Sequence, residues 1–377
     1  AASDVYKRQV FFMILSRLSI VNFKNIAQAD LEFSSGLNCF LGNNGMGKTN
    51  LLDALYYLSF CKSSMSLADS QNIRHGEDFF MLQGFYSYDD VCEEIYCGMK
   101  RRQKKVFKRN KKEYSRLSDH IGLIPLVMIS PADSELIQGG SEERRRFLDL
   151  VISQFDKAYL DKLIRYNKAL MQRNTLLKQE ISDPAMYEIW EEQMALAAAD
   201  IYRARRRFLA EFVPVFQEFY ETISGGNEEV GLTYVSHIER GDLRDLLAEV
   251  RSRDLILGYT SRGVHKDELE MTLGEYPMRR IGSQGQNKTF LIALKLAQFD
   301  YLNRNGHTVP LLLLDDVFDK LDAQRMERII TLVSQERFGQ IFVTDTNREY
   351  LDAIVRRTGG DYRLFKVESG EFSIIGE

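Results

Sequence analysis

Residues 42–49 read GNNGMGKT, and their types and spacing point to phosphate binding. Gly42, Gly45 and Gly47 let the backbone curl so that successive N–H groups aim inward at phosphate oxygens. Lys48 has the reach to meet the β- and γ-phosphates of a nucleotide, and the Thr49 hydroxyl suits Mg²⁺. Asn43, Asn44, Met46 and Asn50 complete the loop that would surround them. Such a loop works only between a strand and a helix. Leu37–Leu41 is an apolar strand candidate, and residues 50–60 open a helical run whose positive end adds to the field on an anion. The bland alternative, a glycine-rich turn with a chance lysine, does not account for both flanks.

Residues 310–322 read PLLLLDDVFDKLD. Four successive leucines predict a strand buried on both faces, with Asp315 and Asp316 emerging at its carboxyl end, where open α/β sheets bind ligands. Asp315 would hold Mg²⁺, and Asp316 would orient or deprotonate the attacking water, which makes Asp316 and Lys48 the catalytic candidates. An acidic turn after a buried strand is the rival reading. Residues 282–286, GSQGQ, precede a helical run over 288–302. Ser283, Gly285 and Gln286 offer a hydroxyl, close backbone approach and N–H donors, a second anion-binding point. In this position the segment resembles the signature motif of ABC-type ATPases, which closes over the γ-phosphate held by another subunit. Residues 319–322, DKLD, stand where that class has its D-loop.

The elements that must carry these motifs alternate in character. Ile14–Phe23 alternates as a half-buried strand, and 30–33 is another candidate. Residues 79–130 read as an antiparallel sheet with turn signals at Gly84 and Gly98 and a hairpin near Asn110. Residues 141–178 repeat apolar positions at helical spacing, a boundary falls at 182–184, and helical period resumes until Pro214 kinks or ends it. The sequence 225–227, GGN, is a breaker. The expected organisation is a non-native extension at 1–12, an ATPase lobe over 13–130, a helical lobe over 131–256, and the rest of the ATPase lobe over 257–377. Sustained heptads are absent, so the helical lobe should be compact and not a long arm.

The chain has 377 residues, 44% hydrophobic and 28% charged, with a formal net charge of -4, so nucleic acid would have to be met by a local basic patch. Cys39, Cys61, Cys92 and Cys97 lack metal-site spacing and read as reduced thiols of a cytoplasmic protein. No apolar stretch approaches a membrane span, so no membrane partner is expected.

Taken in order, NFKN at 22–25, GNNGMGKTNLLDAL at 42–55, the long block 129–178, HKDELE at 265–270, GSQGQ and LLLDDVFDKLD resemble the RecF family of bacterial recombination mediators. The block 141–178 discriminates better than the widely shared ATPase motifs. The resemblance implies an α/β fold: a P-loop ABC/SMC-type ATPase head, a mixed sheet with flanking helices, and a compact, mostly helical second lobe. It implies ATP and Mg²⁺ as cofactors, an ATP-dependent homodimer and slow hydrolysis. The implied partners are DNA (single-stranded, duplex or gap junctions) and RecR, with RecO and RecA in the pathway. Lys24 would lie near the nucleotide, as the basic residue there does in SMC-like heads. Asp316 stands where most ABC ATPases have Glu, and the strand ending at Asp345 lacks the switch histidine of transporters. Thr344, Asp345 or Thr346 would then contact the γ-phosphate region. A transporter ATPase and an OLD-type nuclease are the alternatives; the first calls for that histidine, the second for an acidic nuclease domain after the ATPase.

Residues 100–112, KRRQKKVFKRNKK, are the densest positive run. Arg101, Arg102, Lys104, Lys105, Lys108, Arg109, Lys111 and Lys112 would form a strip neutralising DNA phosphates, or a solvated hairpin whose charges guard an edge. A second run at 203–207 is a solvated face or a contact for DNA or a partner. Arg144, Arg145 and Arg146 read first as internal salt-bridge residues, and His265 as structural.

Overall fold

The two strands expected to flank a nucleotide lie in one six-stranded sheet. In spatial order it contains Glu371–Gly376, Tyr362–Glu368, Leu37–Leu41, Ile341–Asp345, Leu311–Asp315 and Leu126–Ile129. All neighbours run parallel except the first pair. Every residue of Leu311–Asp315 and Ile341–Asp345 is buried, which is why these strands read as unbroken apolar runs. The computed structural model describes residues 11–66, 68–226, 228–319 and 321–377.

The chain divides into two compact units. One holds the described residues up to Pro131 with Gln298–Glu377; the other is Ala132–Ala297. In the first unit a second sheet, fully antiparallel, orders Ile26–Glu32, Ile14–Phe23, Phe79–Tyr88, Val91–Lys100, Val106–Arg109 and Lys112–Glu113. The helix Lys48–Phe60 packs on strands of both sheets, and Leu51, Leu52, Ala54, Leu55, Tyr57 and Leu58 are fully buried. Edge-on rings of Phe23, Tyr57 and Phe80, 5.3 to 6.1 Å apart, fill one side of this core.

Two expectations for this unit change. Leu126–Ile129 joins the parallel sheet beside Leu311–Asp315, because four consecutive buried side chains need cover on both faces. Gly84 and Gly98 mark no turns. They sit inside strands where a Cβ would come within 2.7 Å of the Tyr86 ring and 2.8 Å of Tyr96 Oη, respectively. The hairpin does turn at Asn110 and Lys111, both at positive φ. Of the supposed extension, residues 1–10 lie outside the described residues, while Phe11–Phe12 pair with Thr308–Val309.

The second unit is built from Ser141–Phe155, Lys157–Lys178, Ala185–Ser224 and Leu243–Leu257, with a sheet ordered Val230–Val235, Glu268–Leu273, Tyr276–Pro277. The helical stretch 141–178 is two helices, parted at Asp156, whose carboxylate accepts the Tyr159 N–H at 2.9 Å as an N-cap. Pro214 does not end its helix, which runs 40 residues, about 60 Å at 1.5 Å per residue. Gly225 at φ 88° ends it; Asn227 of the breaker lies outside the described residues. The ATPase lobe does not resume at 257. Pairing of Glu268–Leu273 with Val230–Val235 ties that segment to the helical unit, and the division falls inside the helix Gln284–Asn305.

Two buried arginines organise this unit. Arg173 reaches Glu191 at 3.0 Å, Asp254 at 2.8 Å and Thr260 at 2.8 Å. Arg205 reaches Asp267 at 2.9 Å, Asp149 at 2.8 Å, Tyr159 at 3.1 Å and the Val264 carbonyl at 3.0 Å. The run 203–207 was expected to be a solvated face or a contact for DNA or a partner; Arg205 instead faces inward, one residue in a helix turn of otherwise outward neighbours. Arg205→Ala strands Asp149 and Asp267, and should destabilise the unit by about 3–5 kcal/mol. Chemical denaturation followed through Trp190, the sole tryptophan, measures this, and a loss under about 1 kcal/mol would contradict the role.

Candidate nucleotide site

The loop between Leu37–Leu41 and the helix Lys48–Phe60 has the backbone its sequence called for. Gly45 has φ 81° and Gly47 φ 112°, both closed to ordinary side chains. Close approach fixes the rest. A Cβ on Gly42 would lie 2.4 Å from the Val367 carbonyl oxygen, and one on Gly47 2.9 Å from the Asn25 amide. Asn25 in turn accepts from Asn50 Nδ2 at 2.7 Å, and the Met46 carbonyl accepts the Gly370 N–H at 2.8 Å. No side chain caps the helix start at Gly47, leaving its first N–H groups to an anion. Lys48 is buried, and its ammonium donates to the carbonyls of Gly42 at 2.6 Å and Asn43 at 3.1 Å. Burial lowers its pKa, opposed by Asp316, Asp315 and Asp345.

Asp315 meets the loop directly. The Thr49 hydroxyl lies 2.9 and 3.1 Å from its two oxygens, and the Thr344 hydroxyl donates to Oδ1 at 2.7 Å. Burial raises the Asp315 pKa, while the two hydroxyls oppose the rise. Asp316 adopts φ 51°, and its N–H points at both the carbonyl and the hydroxyl of Thr344, each at 3.2 Å. Asp345 is buried; Oδ1 accepts the Asn347 N–H at 2.7 Å, and Oδ2 has no hydrogen-bond partner. Burial raises this pKa also. The donors are hard oxygens, and an orphaned carboxylate oxygen is what a hydrated cation would satisfy, so the residues fit Mg²⁺. Among the described residues no cluster of three or more His, Cys, Asp or Glu forms a metal site.

Lys24, expected near the nucleotide, has a carboxylate partner within the protein. Its ammonium is 2.6 Å from Asp53, a fully buried carboxylate in the loop's own helix that needs a counter-charge. Ser63 and Ser64 hydroxyls complete that cluster at 2.7 and 2.6 Å. Sequence reasoning missed it; the signal was an aspartate inside the apolar run NLLDAL. In the second unit the helix begins at Gln284, earlier than the expected 288, so Gly285 and Gln286 occupy its first turn. Ser283 and Gln286 form a reciprocal cap: the Gln286 N–H donates to Ser283 Oγ at 3.2 Å and the Ser283 N–H to Gln286 Oε1 at 2.9 Å. Within 319–322, Lys320 lies outside the described residues, and Asp322 caps Ala323–Val333.

The basic hairpin splits into two groups. Lys105 is held by Asp69 at 2.8 Å and by the Cys61 carbonyl at 2.5 Å, and Arg109 pairs with Glu93. Arg101 is exposed but donates from Nε to the Glu77 carbonyl at 2.9 Å. Lys108 lies over the Tyr96 ring, while Arg102, Lys104, Lys111 and Lys112 are exposed. Arg144 pairs with Glu268, and half-buried His265, hydrogen-bonded to Tyr166 and the Thr260 carbonyl, has its pKa pushed down to about 3 by desolvation.

Fold and site together define an ATPase head of the ABC/SMC type. The RecF/RecN/SMC N-terminal domain family matches residues 14–363. The chain belongs to the RecF family. It is 64% identical over 367 residues to the DNA replication and repair protein RecF of Bacteroides fragilis, covering 97% of this chain and 99% of that protein. It is 62% identical to the Bacteroides thetaiotaomicron protein of the same name, with the same coverage. A solved structure of the recombination mediator protein RecF with ATP, described as in the RecFOR pathway, superposes with a TM-score of 0.87 at 30% identity, over 98% of this chain and 100% of that one. The Smc head domain of Pyrococcus furiosus, at 15% identity, 97% and 96% coverage and TM-score 0.58, shares the fold.

Because burial holds the folded-state pKa of Asp315 above its unfolded value, nucleotide-free stability should rise as pH falls from neutral through that raised pKa. Asp315→Asn removes the buried charge. It should stabilise the nucleotide-free protein by about 1 kcal/mol and abolish the rise in Tm caused by ATP with Mg²⁺. Calorimetry with and without nucleotide reads both; a retained ATP shift would remove Asp315 from the site.

Proposed function

We propose that this chain is an ATP-switched DNA-binding protein of recombinational repair and replication, a weak ATPase whose ATP-bound homodimer clamps DNA. The observation that carries the reading is the junction of Thr49, Asp315 and Thr344 beside a loop already spanned by Lys48. On nucleotide binding the Lys48 ammonium exchanges loop carbonyls for phosphate oxygens, a charge-assisted contact. Residues 42–50 supply the backbone donors. Thr49 and Asp315 would hold Mg²⁺, which supplies charge neutralisation of the phosphates when bound. Asp316 orients the attacking water; its side chain is one carbon shorter than Glu, which agrees with slow turnover.

Ser283, Gly285 and Gln286 of a second copy close on the γ-phosphate. ATP then shifts a monomer–dimer equilibrium by its differential affinity for the closed state. Arg102, Lys104, Lys108, Lys111 and Lys112 are the proposed phosphate contacts on DNA, with Arg101, Lys105 and Arg109 shaping the strip that presents them. RecR, with RecO, is the proposed partner group for placing RecA at gaps, in the cytoplasm. Membership of the RecF family weighs against the transporter and nuclease readings, and among the described residues no helix is long and apolar enough to cross a membrane.

Asp316→Asn should keep ATP affinity, slow hydrolysis by about 100-fold and accumulate the ATP dimer. Single-turnover kinetics with light scattering decide this, and normal turnover would reassign the water-positioning role. Ser283→Arg should bind ATP normally as a monomer yet fail to dimerise; an ATP dimer of that variant would place residues 282–286 outside the interface.

A further inference from the structure

The second basic run, 203–207, lies on the helix Ala185–Ser224, and the nucleotide site makes no use of it. Its arginines differ in their partners. Arg205 is buried, Arg203 pairs with Asp200, and Arg207 approaches Asp156 at 3.7 Å. Arg206 is exposed, lies over the Tyr202 ring at 5.7 Å, and has no carboxylate partner among the described residues. It stands at an open groove of about 810 Å³ lined also by Tyr202, Leu209, Val213, Leu232 and Tyr234.

One wall of the groove is the strand Val230–Val235, the edge of its three-stranded sheet. The Gly274 N–H donates to the Glu229 carbonyl at 2.7 Å. Antiparallel alternation then turns the backbone groups of Gly231, Thr233 and Val235 toward Glu268–Leu273, and those of Val230, Leu232 and Tyr234 away from it. The Val230 carbonyl is satisfied by Gln217 Nε2 at 3.1 Å. Leu232 and Tyr234 line the groove, and among the described residues their outward N–H and carbonyl groups have no hydrogen-bond partner. The other wall adds an acceptor. Pro214 has no N–H, so the carbonyl of Ala210, also in the lining, lacks its helical donor.

Exposed edges are usually guarded by proline, charge or a bulge; this one reads VGLTYV and carries no proline or charge. We propose that the groove docks an extended segment of a partner protein, which adds as a further strand beside Val230–Val235 and presents an acidic residue to Arg206. Main-chain bonds to Leu232 and Tyr234 hold the segment, and alternate side chains seat against Leu209, Val213 and the two tyrosines. Six residues of such a strand span about 20 Å. Charge complementarity at Arg206 selects the acidic residue, and Arg206, which donates to Tyr202 Oη at 3.4 Å, is held at the groove beside the edge strand.

The test selects short peptides from a random display library on the full chain. Apolar peptides with an acidic residue should emerge, and Arg206→Glu should weaken them at least about tenfold. Ala210→Trp, which fills the groove, should abolish binding, with circular dichroism and ATP binding unchanged in both variants. Backbone N-methylation at alternate peptide positions should abolish binding while the intervening positions tolerate it, a pattern that only strand addition produces. The proposal fails if no selected peptide depends on Arg206 and the groove, or if binders ignore N-methylation. It also fails if the groove variants change self-association in light scattering, which would assign the surface to a second copy.

Discussion

The candidate nucleotide site depends on one buried carboxylate, Asp315, held between the hydroxyls of Thr49 and Thr344. A carboxylate out of water is costly unless each oxygen finds a donor. Here the donors come from the start of the loop's helix and from the neighbouring parallel strand. Satisfying Asp315 therefore locks three elements together: Lys48–Phe60, Leu311–Asp315 and Ile341–Asp345. The chain then leaves the sheet through Asp316 in a left-handed conformation, tied back by two bonds from its N–H to Thr344. Strain of this kind persists only where its surroundings enforce it, and functional sites are where it gathers.

The helix that carries Lys48 and Thr49 is anchored along its whole length. It is buried on nearly every side, so it has little amphipathic character and depends on both sheets of its unit for cover. Its single buried acid, Asp53, is neutralised by Lys24, and its carboxyl end at Cys61 receives the ammonium of Lys105. A cation at that end complements the helix dipole, while the open amino end faces the loop. Lys105 thus links the far end of the nucleotide helix to the basic hairpin through Asp69 and Tyr57.

The helical unit uses charge differently. Arg173 and Arg205 lie inside it and collect carboxylates from separate helices and from Asp267, just before Glu268–Leu273. Apolar residues of similar volume would serve stability as well or better. What the ion pairs add is direction: each guanidinium donates along fixed directions in its plane, and the helices can satisfy both only in one register.

Much of the site was legible because its chemistry is local. The glycine spacing of 42–47, the Lys48–Thr49 pair and the leucines before Asp315 each encode their own backbone, and the family match extends that legibility to the fold. What could not be read depends on partners distant in the chain. Gly84 and Gly98 looked like turns because the tyrosines crowding them are a matter of packing. The carboxylates that hold Lys24, Lys105, Arg109 and Arg205 could not be read, because Asp53, Asp69, Glu93 and Asp267 meet them only after folding. The sequence by itself determined the loop backbone at 42–47 and the buried strand that ends at Asp315, since backbone freedom and side-chain type are properties of short segments. Only the tertiary structure decided which charges remain available for a ligand, since a buried carboxylate takes its counter-ion from whatever strand or helix is brought beside it.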